Sequence, residues 1–252
     1  MIGHRVHAMS SAGMSTRRST RMDAAAGLRE PWVVAIDGEA ATGKSSLGVL
    51  LAQSLGAAFL DTGAMYRDAT ALGLERGVDL GDAAALVALV QRERAAHVWE
   101  RVGPTWTLDE AFDQRLRRPE VAERVAVVAK HAELRGLMVA WQRAVGARRS
   151  RLVSEGRDQG RVVFPGALAK LYLIADLDDQ VQRRAAQMRD AGHSVDVAQL
   201  RRALAERNEI DRNNALQMGD GAVPIDTRGR EPADVLAHMQ RVVLEAAAKR
   251  DT

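Results

Sequence analysis

Residues 33–46 read VVAIDGEAATGKSS and contain the residue types that bind a nucleoside triphosphate. A β-branched run leads into the spacing G-x-x-x-x-G-K-S, and an apolar pattern of helical period follows it. Gly38 and Gly43 let backbone N–H groups converge on phosphate oxygens, and the next helix adds the partial positive charge of its N-terminus. Lys44 is placed to reach the β- and γ-phosphates, and the Ser45 hydroxyl to bind Mg²⁺. The sequence therefore predicts a site for ATP and Mg²⁺. The residues predicted to form it are Gly38, Glu39, Ala40, Ala41, Thr42, Gly43, Lys44, Ser45 and Ser46.

The composition is that of a globular protein and excludes several classes of function. The chain has 252 residues, of which 46% are hydrophobic and 27% charged, and no apolar stretch reaches the length of a membrane span. With 0 cysteines the chain forms no disulfide, thiolate nucleophile or thiolate zinc site. A net charge of +3 and an aromatic content of 4% give no footprint for nucleic acid. We therefore expect a cytoplasmic monomer that binds neither nucleic acid nor a membrane.

Residues 1–31 are rich in Ser, Arg, Gly and Ala and have no hydrophobic period long enough to bury a face. This composition predicts a disordered N-terminal extension. Its Arg- and Ser-rich, acid-poor character is also typical of an organelle transit peptide, and Met9, Met14 and Met22 offer later start codons. We favour a dispensable tail on a cytoplasmic protein, and expect removal of residues 1–30 to leave stability and turnover nearly unchanged.

Segments with the periods of strands and helices alternate over residues 32–61 and 151–252, which predicts an α/β core. We expect a P-loop fold with a doubly wound, parallel, five-stranded sheet, helices on both faces, and a site at the carboxyl ends of the strands. The run 169–175 is nearly continuously apolar, as in a strand buried on both faces, and Pro224 assigns the strand at 222–226 to an edge. The other strands are predicted directly before the phosphate loop, at 57–60 and at 151–154.

Residues 62–150 interrupt this alternation and are predicted to form an inserted subdomain. Within it, segments 97–101 and 105–108 flank a Gly-Pro dipeptide and predict paired strands. Residues 190–194, around Gly192, lie between two helical patterns and predict a mobile hairpin. Helices are predicted from 62 to about 76, over 83–94, 119–130 and 132–145, from about 178, from about 195, and over 232–249.

Six arginines lie at segment ends or around the predicted hairpin, where phosphate groups are expected: Arg67, Arg135, Arg157, Arg183, Arg184 and Arg207. Phosphoryl transfer needs cations on the phosphoryl oxygens more than it needs an acid or a base. Arg157 and Asp158 are the strongest candidates, because they lie in a Gly-x-x-x-Gly loop directly after a predicted core strand. The chain has no N-K-x-D stretch, which argues against a GTPase.

Three segments together resemble the signatures of the bacterial cytidylate (CMP/dCMP) kinases, and the resemblance covers about residues 33–245. The signatures are I-D-G before the phosphate loop, D-T-G-A-M-Y-R, and (D/E)-G-R-D-x-G-x-x-V-F-P, and here they are residues 36–38, 61–67 and 155–165. The last two are nearly intact and far more specific than a phosphate loop alone. The resemblance implies a parallel-sheet core, an enlarged monophosphate-binding insertion and a short lid, which would lie at about residues 184–195 around the predicted hairpin. It also implies transfer of the γ-phosphoryl group of ATP to CMP or dCMP.

The resemblance implies roles for individual residues as well. Those that would bind the nucleoside monophosphate are Thr62, Arg67, Arg135, Arg157, Asp158, Arg207 and Asp211. Among them, Asp158 would contact the cytosine edge, Arg135 the pyrimidine and Arg157 the phosphate. The cations that would stabilise the transition state are Lys44, Arg157, Arg183, Arg184 and Arg207.

The helix after the lid departs from the family pattern R-D-x-R-D-x-x-R. Ile210 and Asn214 stand where the second and third arginines are expected, on the same helical face as Arg207 and Asp211. That face therefore lacks two positive charges. Arg212 projects about 100° away from it and would have to reach around the helix.

Two further departures are Ala126, where the family has a serine near the cytosine, and Glu39, which adds a negative charge to the phosphate loop. Lower activity or altered specificity would follow from such losses. Two alternatives to a CMP/dCMP kinase therefore stay open: a kinase for another nucleoside monophosphate, and a degenerate nucleotide-binding homologue with a regulatory role. ATP turnover that depends on CMP separates the three, and the sequence does not set the preference between CMP and dCMP.

Overall fold

The structure, a computed structural model of the chain, describes residues 28–93, 100–101, 110–190, 192, 194–213 and 216–250. Within these residues the strands are β1 (Trp32–Gly38), β2 (Ala58–Asp61), β3 (Glu100–Arg101), β4 (Arg151–Gly156), β5 (Ala169–Ile174) and β6 (Val223–Asp226). The α-helices are α1 (Lys44–Ser54), α2 (Thr62–Glu75), α3 (Ala83–Glu93), α4 (Glu110–Leu116), α5 (Pro119–Val128), α6 (Ala132–Arg148), α7 (Leu177–Asp190), α8 (Val197–Asn213) and α9 (Pro232–Arg250). A single π-helical turn, Gln159–Val163, follows β4.

Five strands form the parallel sheet that the sequence predicts, in the order β2-β4-β1-β5-β6. The prediction of a five-stranded parallel sheet is confirmed, and β3 pairs antiparallel with β2 to extend it by a short sixth strand. The two residues of β3 form hydrogen bonds with main-chain groups at the edge of β2 that would otherwise be unpaired. The rest of the predicted pair, 97–99 and 105–108, lies outside the described residues.

Two hydrophobic clusters cover the two faces of the sheet. On one face, α1 and α9 pack on the central strands through residues such as Leu51, Met239 and Ile36. On the other face, α2, α3 and α6 pack on β2 and β4, with Leu72 and Met138 among the buried residues. Burial of apolar surface on both sides makes β1 a rigid support for the loop that follows it.

The sequence predictions for β5 and β6, the two strands at the far side of the sheet, have different outcomes. Among the described strands, β6 pairs with β5 alone, so its assignment to an edge is confirmed. The prediction that β5 is buried on both faces is wrong, because its burial alternates. Leu171 and Leu173 are buried, whereas Tyr172 is half-buried and Ile174 is 37% exposed. β5 lies next to the edge strand, where the covering layer of helices ends on one face.

The helices of the insertion begin close to their predicted positions, and α4 is an addition that its short apolar pattern did not reveal. The predicted lid at 184–195 overlaps α7, which continues to Asp190. The connection to α8 therefore spans 191–196, of which 192 and 194–196 are described. Among the described helices, none combines the length and the apolar content that crossing a membrane requires.

The chain makes contacts with the domain before β1 begins. Leu28 packs against the cluster that lies between β1 and α9, and Glu30 forms an ion pair with Arg151. Arg250 Nη1 donates a hydrogen bond to the main-chain oxygen of Pro31 at 3.3 Å. The contacts of the domain thus extend ahead of the predicted boundary at residue 31, and the remainder of the predicted tail, 1–27, lies outside the described residues.

We expect deletion of residues 1–27 and deletion of residues 1–30 to have different effects on stability. The shorter deletion keeps Leu28 and should leave the melting temperature unchanged. The longer deletion removes a half-buried leucine, worth about 1 kcal/mol, which lowers the melting temperature by about 2–4 °C in a protein of this size. Thermal melts of both variants check this, and Leu28→Ala in the full chain is the control that should reproduce the longer deletion. An equal loss of melting temperature in both deletions would contradict the inference that Leu28 stabilises the domain.

Candidate active site

The phosphate loop joins β1 to α1 and contains three residues with positive φ. Gly38 has φ 153°, and a Cβ there would lie 2.6 Å from the main-chain oxygen of Leu173, so that β5 leaves no room for a side chain. Gly43 caps the N-terminus of α1 at φ 91°. Ala41 has φ 55°, the only positive φ outside glycine among the described residues. This conformation costs an alanine about 1 kcal/mol and has to be held by surrounding contacts.

Three cations from three different elements bind the carbonyl oxygens of this loop. They come from α1, from the turn after β4, and from α7. The contacts are Lys44 Nζ to Glu39 O at 2.5 Å, Arg157 Nη1 to Gly38 O at 3.1 Å, and Arg183 Nη1 to Thr42 O at 3.3 Å. The carbonyl side of the loop is thereby occupied by positive charge, in the arrangement expected beside a phosphate site.

Lys44 is nearly buried, with 8% of its surface exposed. Burial, and then the charge of Arg157, lower the pKa of its amine. The carboxylates of Glu155, Asp37 and Asp211 act in the opposite direction but do not outweigh burial. A bound phosphate would further stabilise the charged form of Lys44.

Ser45 and Glu155 supply oxygen atoms suited to Mg²⁺. Ser45 Oγ donates a hydrogen bond to Glu155 Oε1 at 2.7 Å. Glu155 is buried, and burial followed by the charge of Asp61 raises its pKa. Hydroxyl and carboxylate oxygens are hard ligands, and Mg²⁺ is commonly held by one or two of them together with phosphates and water. The donor atoms of this pair therefore fit Mg²⁺. Among the described residues, no group of three or more His, Cys, Asp or Glu side chains could hold a metal.

Asp37 joins the end of β1 to the turn after β4. Its two carboxylate oxygens accept hydrogen bonds from the backbone N–H groups of Gln159 at 2.7 Å and Gly160 at 2.8 Å. Burial raises the pKa of Asp37 to about 6, although the two hydrogen bonds and Lys44 act in the opposite direction. The carboxylate therefore stabilises the geometry of the turn at an electrostatic cost.

Two successive residues of that turn reach in opposite directions. Arg157 contacts the phosphate loop and forms an ion pair with Asp211 of α8, Nη1 to Oδ2, at 2.8 Å. Asp158 forms an ion pair with Arg135 of α6, in the insertion. Burial, and then the charge of the neighbouring Asp158, raise the pKa of Tyr66, while Arg135 acts in the opposite direction. The turn after β4 thus links the phosphate loop to the predicted pyrimidine site.

Thr62 and Arg67 lie on α2 at the border of the insertion and are held by the ends of β2 and β4. The Thr62 hydroxyl donates to the main-chain oxygen of Glu155 at 2.7 Å and is buried. Asp61 accepts from the N–H of Ala64 at 2.8 Å, which caps α2, and from Arg67 Nη2 at 3.0 Å. These contacts orient the first turns of the helix and leave Arg67 32% exposed on its side chain.

Arg207 and Arg184 extend the positive charge from the loop towards the insertion. Burial lowers the pKa of each guanidinium, and the next cause is Arg157 for Arg207 and Arg117 for Arg184. Arg67 lowers both, which means that these side chains lie within electrostatic range of one another. Arg184 also lines a cavity of about 230 Å³ between α5 and α7. A cluster of cations in a partly desolvated cleft favours an anionic ligand.

Glu39, the acidic residue of the loop, does not point to open solvent. Its Oε2 accepts from Gln180 Nε2 at 2.8 Å, and its Oε1 lies 3.0 Å from Arg212 Nε. Arg212, which the helical pattern places away from the predicted face, therefore does reach the loop. Ile210 is half-buried on α8, and Asn214 lies outside the described residues.

A cavity of about 570 Å³ lies at the other end of the sheet, near Trp32 and Arg149. None of the predicted site residues lines it. Phosphate binding depends on converging N–H groups and cations rather than on an enclosed volume, so the loop remains the better candidate for the site.

Sequence reasoning did not assign roles to four residues that organise the site: Asp37, Asp61, Gln180 and Asn208. Asp61 had a signal, because an aspartate directly before a helical pattern is a typical N-cap. Gln180 and Asn208 are buried amides on α7 and α8, and their hydrogen bond, Asn208 Nδ2 to Gln180 Oε1 at 2.6 Å, could not be read from either helix alone.

Comparison with known proteins is consistent with this geometry. The family model described as Cytidylate kinase matches residues 34–245. A cytidylate kinase of Rhodococcus jostii (strain RHA1) is 38% identical over 217 residues, which cover 84% of this chain and 95% of that protein. One of Chloroflexus aggregans (strain MD-66 / DSM 9485) is 37% identical over 215 residues, 83% of this chain and 93% of the relative. Among solved structures, a gluconokinase from Sinorhizobium meliloti 1021 aligns over 88% of this chain and 94% of its own, at 18% identity and a TM-score of 0.42.

We expect the stability of the protein to depend on the protonation of Asp37. A carboxyl group whose pKa is raised in the folded state stabilises most below its ordinary pKa of 3.8, and this contribution is lost as the pH rises through about 6. A pKa change of this size corresponds to about 3 kcal/mol. The free energy of unfolding of the wild type, minus that of Asp37→Asn, should therefore fall between pH 4 and pH 7. Denaturant unfolding of both proteins across this range measures the difference, and a constant or rising value would contradict the assignment.

Proposed function

Because the chain belongs to the cytidylate kinase family, we propose that it transfers the γ-phosphoryl group of ATP to CMP or dCMP and forms CDP or dCDP. One observation carries this proposal beyond family membership. Arg157 contacts the phosphate loop, and its neighbour Asp158 contacts Arg135 of the insertion. A nucleotide base bound at Asp158 would therefore present its phosphate to the donor phosphates without a further connecting element.

On the donor side, the proposal assigns the phosphates of ATP to the N–H groups of the loop and to Lys44. Arg157 and Arg183 already bind loop carbonyl oxygens, so their positions do not depend on the ligand. Together with Arg184 and Arg207 they would spread the negative charge of the transferring group. Cations held in place before the reaction stabilise the transition state without reorganising during it.

On the acceptor side, the proposal assigns the monophosphate to the cleft between the insertion and α8. Asp158 and Arg135 would bind the cytosine, and Asp211 the ribose. The phosphate would lie among the arginines. The cations proposed to surround it are Arg67, Arg157 and Arg207, and Thr62 lies beside them at the start of α2.

The proposed reaction needs no general base. An oxygen of the ionised acceptor phosphate attacks the γ-phosphorus, and the bond from that phosphorus to the β–γ bridging oxygen breaks. Mg²⁺, held by Ser45 with Glu155 nearby, would neutralise part of the phosphate charge when it is bound. The protein residues orient the two nucleotides and exclude water, which would otherwise take the phosphoryl group.

The two alternatives differ from this proposal at particular residues. A kinase for another monophosphate would need a different partner for the base than the pair of Asp158 and Arg135. A degenerate regulatory homologue is favoured only by the missing arginines at Ile210 and Asn214. Location in the cytoplasm, a monomeric state and the absence of bound nucleic acid stay predictions from the sequence.

We expect Lys44→Ala to abolish the production of ADP that depends on CMP, while the melting temperature changes little. The ammonium group acts on phosphate charge, and its side chain extends from α1 into the loop rather than into the apolar core. A coupled assay with CMP, dCMP, UMP, AMP and GMP measures the loss. The control is Lys130→Ala, an exposed lysine after α5, which should retain wild-type turnover. Turnover near that of the wild type in Lys44→Ala would contradict the assignment of the donor site.

We expect Asp158→Asn to change the choice of pyrimidine. A carboxylate accepts a hydrogen bond from the amino group of cytosine and repels the carbonyl oxygen that uracil has in its place. An amide can donate to that oxygen, so the ratio of kcat/KM for UMP to that for CMP should rise roughly 10-fold or more. The same assay with both nucleotides checks this. An unchanged ratio, with lower turnover on both, would contradict contact between Asp158 and the base.

A further inference from the structure

A buried network connects the acid of the phosphate loop to two helices. Glu39 Oε2 accepts from Gln180 of α7, and Gln180 in turn accepts from Asn208 of α8 at 2.6 Å. Gln180 is 0% exposed and Asn208 3% exposed, so this amide pair is fully desolvated. Buried hydrogen bonds of this kind hold a side chain in one position. The carboxylate of Glu39 is therefore placed by the fold.

That placement brings Arg212 to the mouth of the loop. Residue 39 is shared by two cations, because its main-chain oxygen binds Lys44 Nζ at 2.5 Å and its carboxylate lies 3.0 Å from Arg212 Nε. Arg212 Nε also donates to the main-chain oxygen of Asn208 at 3.2 Å. Both contacts use Nε, whereas four of the five N–H donors of a guanidinium are on its two terminal nitrogens. With 61% of its side chain exposed, Arg212 has room to turn those donors towards a ligand.

The ion pair between Glu39 and Arg212 affects the charge that the phosphate loop presents to ATP. A carboxylate in a phosphate loop repels a triphosphate unless a cation neutralises it. Arg212 is that cation here, and α8 offers no charge at Ile210. A triphosphate carries more negative charge than a carboxylate and binds a guanidinium through two parallel hydrogen bonds. Bound ATP would therefore compete with Glu39 for Arg212.

We propose that Arg212 is a further catalytic cation of this site, and that Glu39 is the positioning residue that holds it at the loop before ATP binds. On ATP binding, the terminal nitrogens of Arg212 pair with oxygens of the transferring phosphoryl group. The inference rests on the proposed phosphoryl transfer. It means that α8 contributes a phosphate-binding cation that does not start on the helical face shared by Arg207 and Asp211.

The first test is Arg212→Ala, measured as kcat with saturating ATP and CMP. We expect kcat to fall roughly 10- to 100-fold, as for the loss of one well-placed transition-state donor, while KM for CMP changes little. Arg212→Lys keeps the charge without the planar fork and should recover part of the loss. Wild-type kcat in Arg212→Ala would overturn the proposal.

The double variant Glu39→Ala/Arg212→Ala separates catalysis from simple neutralisation. If Arg212 acts on the phosphoryl group, the double variant stays about as slow as Arg212→Ala. If Arg212 only cancels the charge of Glu39, removal of both restores wild-type kcat, and the proposal is wrong.

Glu39→Ala alone tests the positioning role. We expect KM for ATP to fall, because a negative charge has left the loop. We also expect kcat to fall less than in Arg212→Ala, because the arginine is present but no longer held. An unchanged kcat would refute the role of Glu39, since a purely structural contact would alter only the melting temperature.

Arg201→Ala is the matched control for all of these variants. Arg201 also lies on α8, but among the described residues its ion pair is with Asp178 of α7 rather than with the phosphate loop. It should lower the melting temperature about as much as Arg212→Ala and leave kcat unchanged.

The wild type tests the proposed acceptor separately from the role of Arg212. If the wild type uses another monophosphate, CMP is not the acceptor, and the Arg212 variants are then compared with that nucleotide. A wild type without turnover on any monophosphate contradicts both proposals.

Discussion

The carbonyl oxygens of the phosphate loop are bound by cations from outside the loop as well as by its own lysine. Lys44 belongs to α1, but Arg157 comes from the turn after β4 and Arg183 from α7. The loop contains Ala41 at φ 55°, a conformation that alanine does not favour on its own. Contacts from the neighbouring elements therefore hold the loop, and the site depends on the order in which the strands are packed.

That order places β1 between β4 and β5, and it gives Asp37 its role. The carboxylate accepts two N–H groups of the π-helical turn after β4, which directs Arg157 to the loop and Asp158 to the insertion. The raised pKa of Asp37 is the electrostatic cost of burying that junction. A change in the register of β1 against β4 would separate the donor side of the site from the acceptor side.

The departures from the family pattern have a different meaning once their surroundings are known. Glu39 and Arg212 are each unfavourable or irrelevant when considered singly: one is an acid beside phosphates, the other a cation on the wrong face of its helix. In the fold they form an ion pair at 3.0 Å. Gln180 donates a hydrogen bond to the carboxylate of Glu39, and Asn208 donates one to Gln180. Helical spacing locates a Cβ, but a long side chain such as arginine reaches beyond the face on which it starts.

The sequence by itself determined the phosphate loop, the alternation of strands and helices, and the edge position of β6. These follow from spacing within one element: a glycine where φ must be positive, a proline that cannot donate, an apolar period that matches a helix. Only the tertiary structure decided the pairing of β3, the alternating burial of β5, and the partners of Asp37 and Glu39. Each of these joins residues far apart in the chain, and their contacts depend on how the elements pack against one another. Backbone geometry sets spacing within an element, whereas packing of whole elements sets the contacts between them.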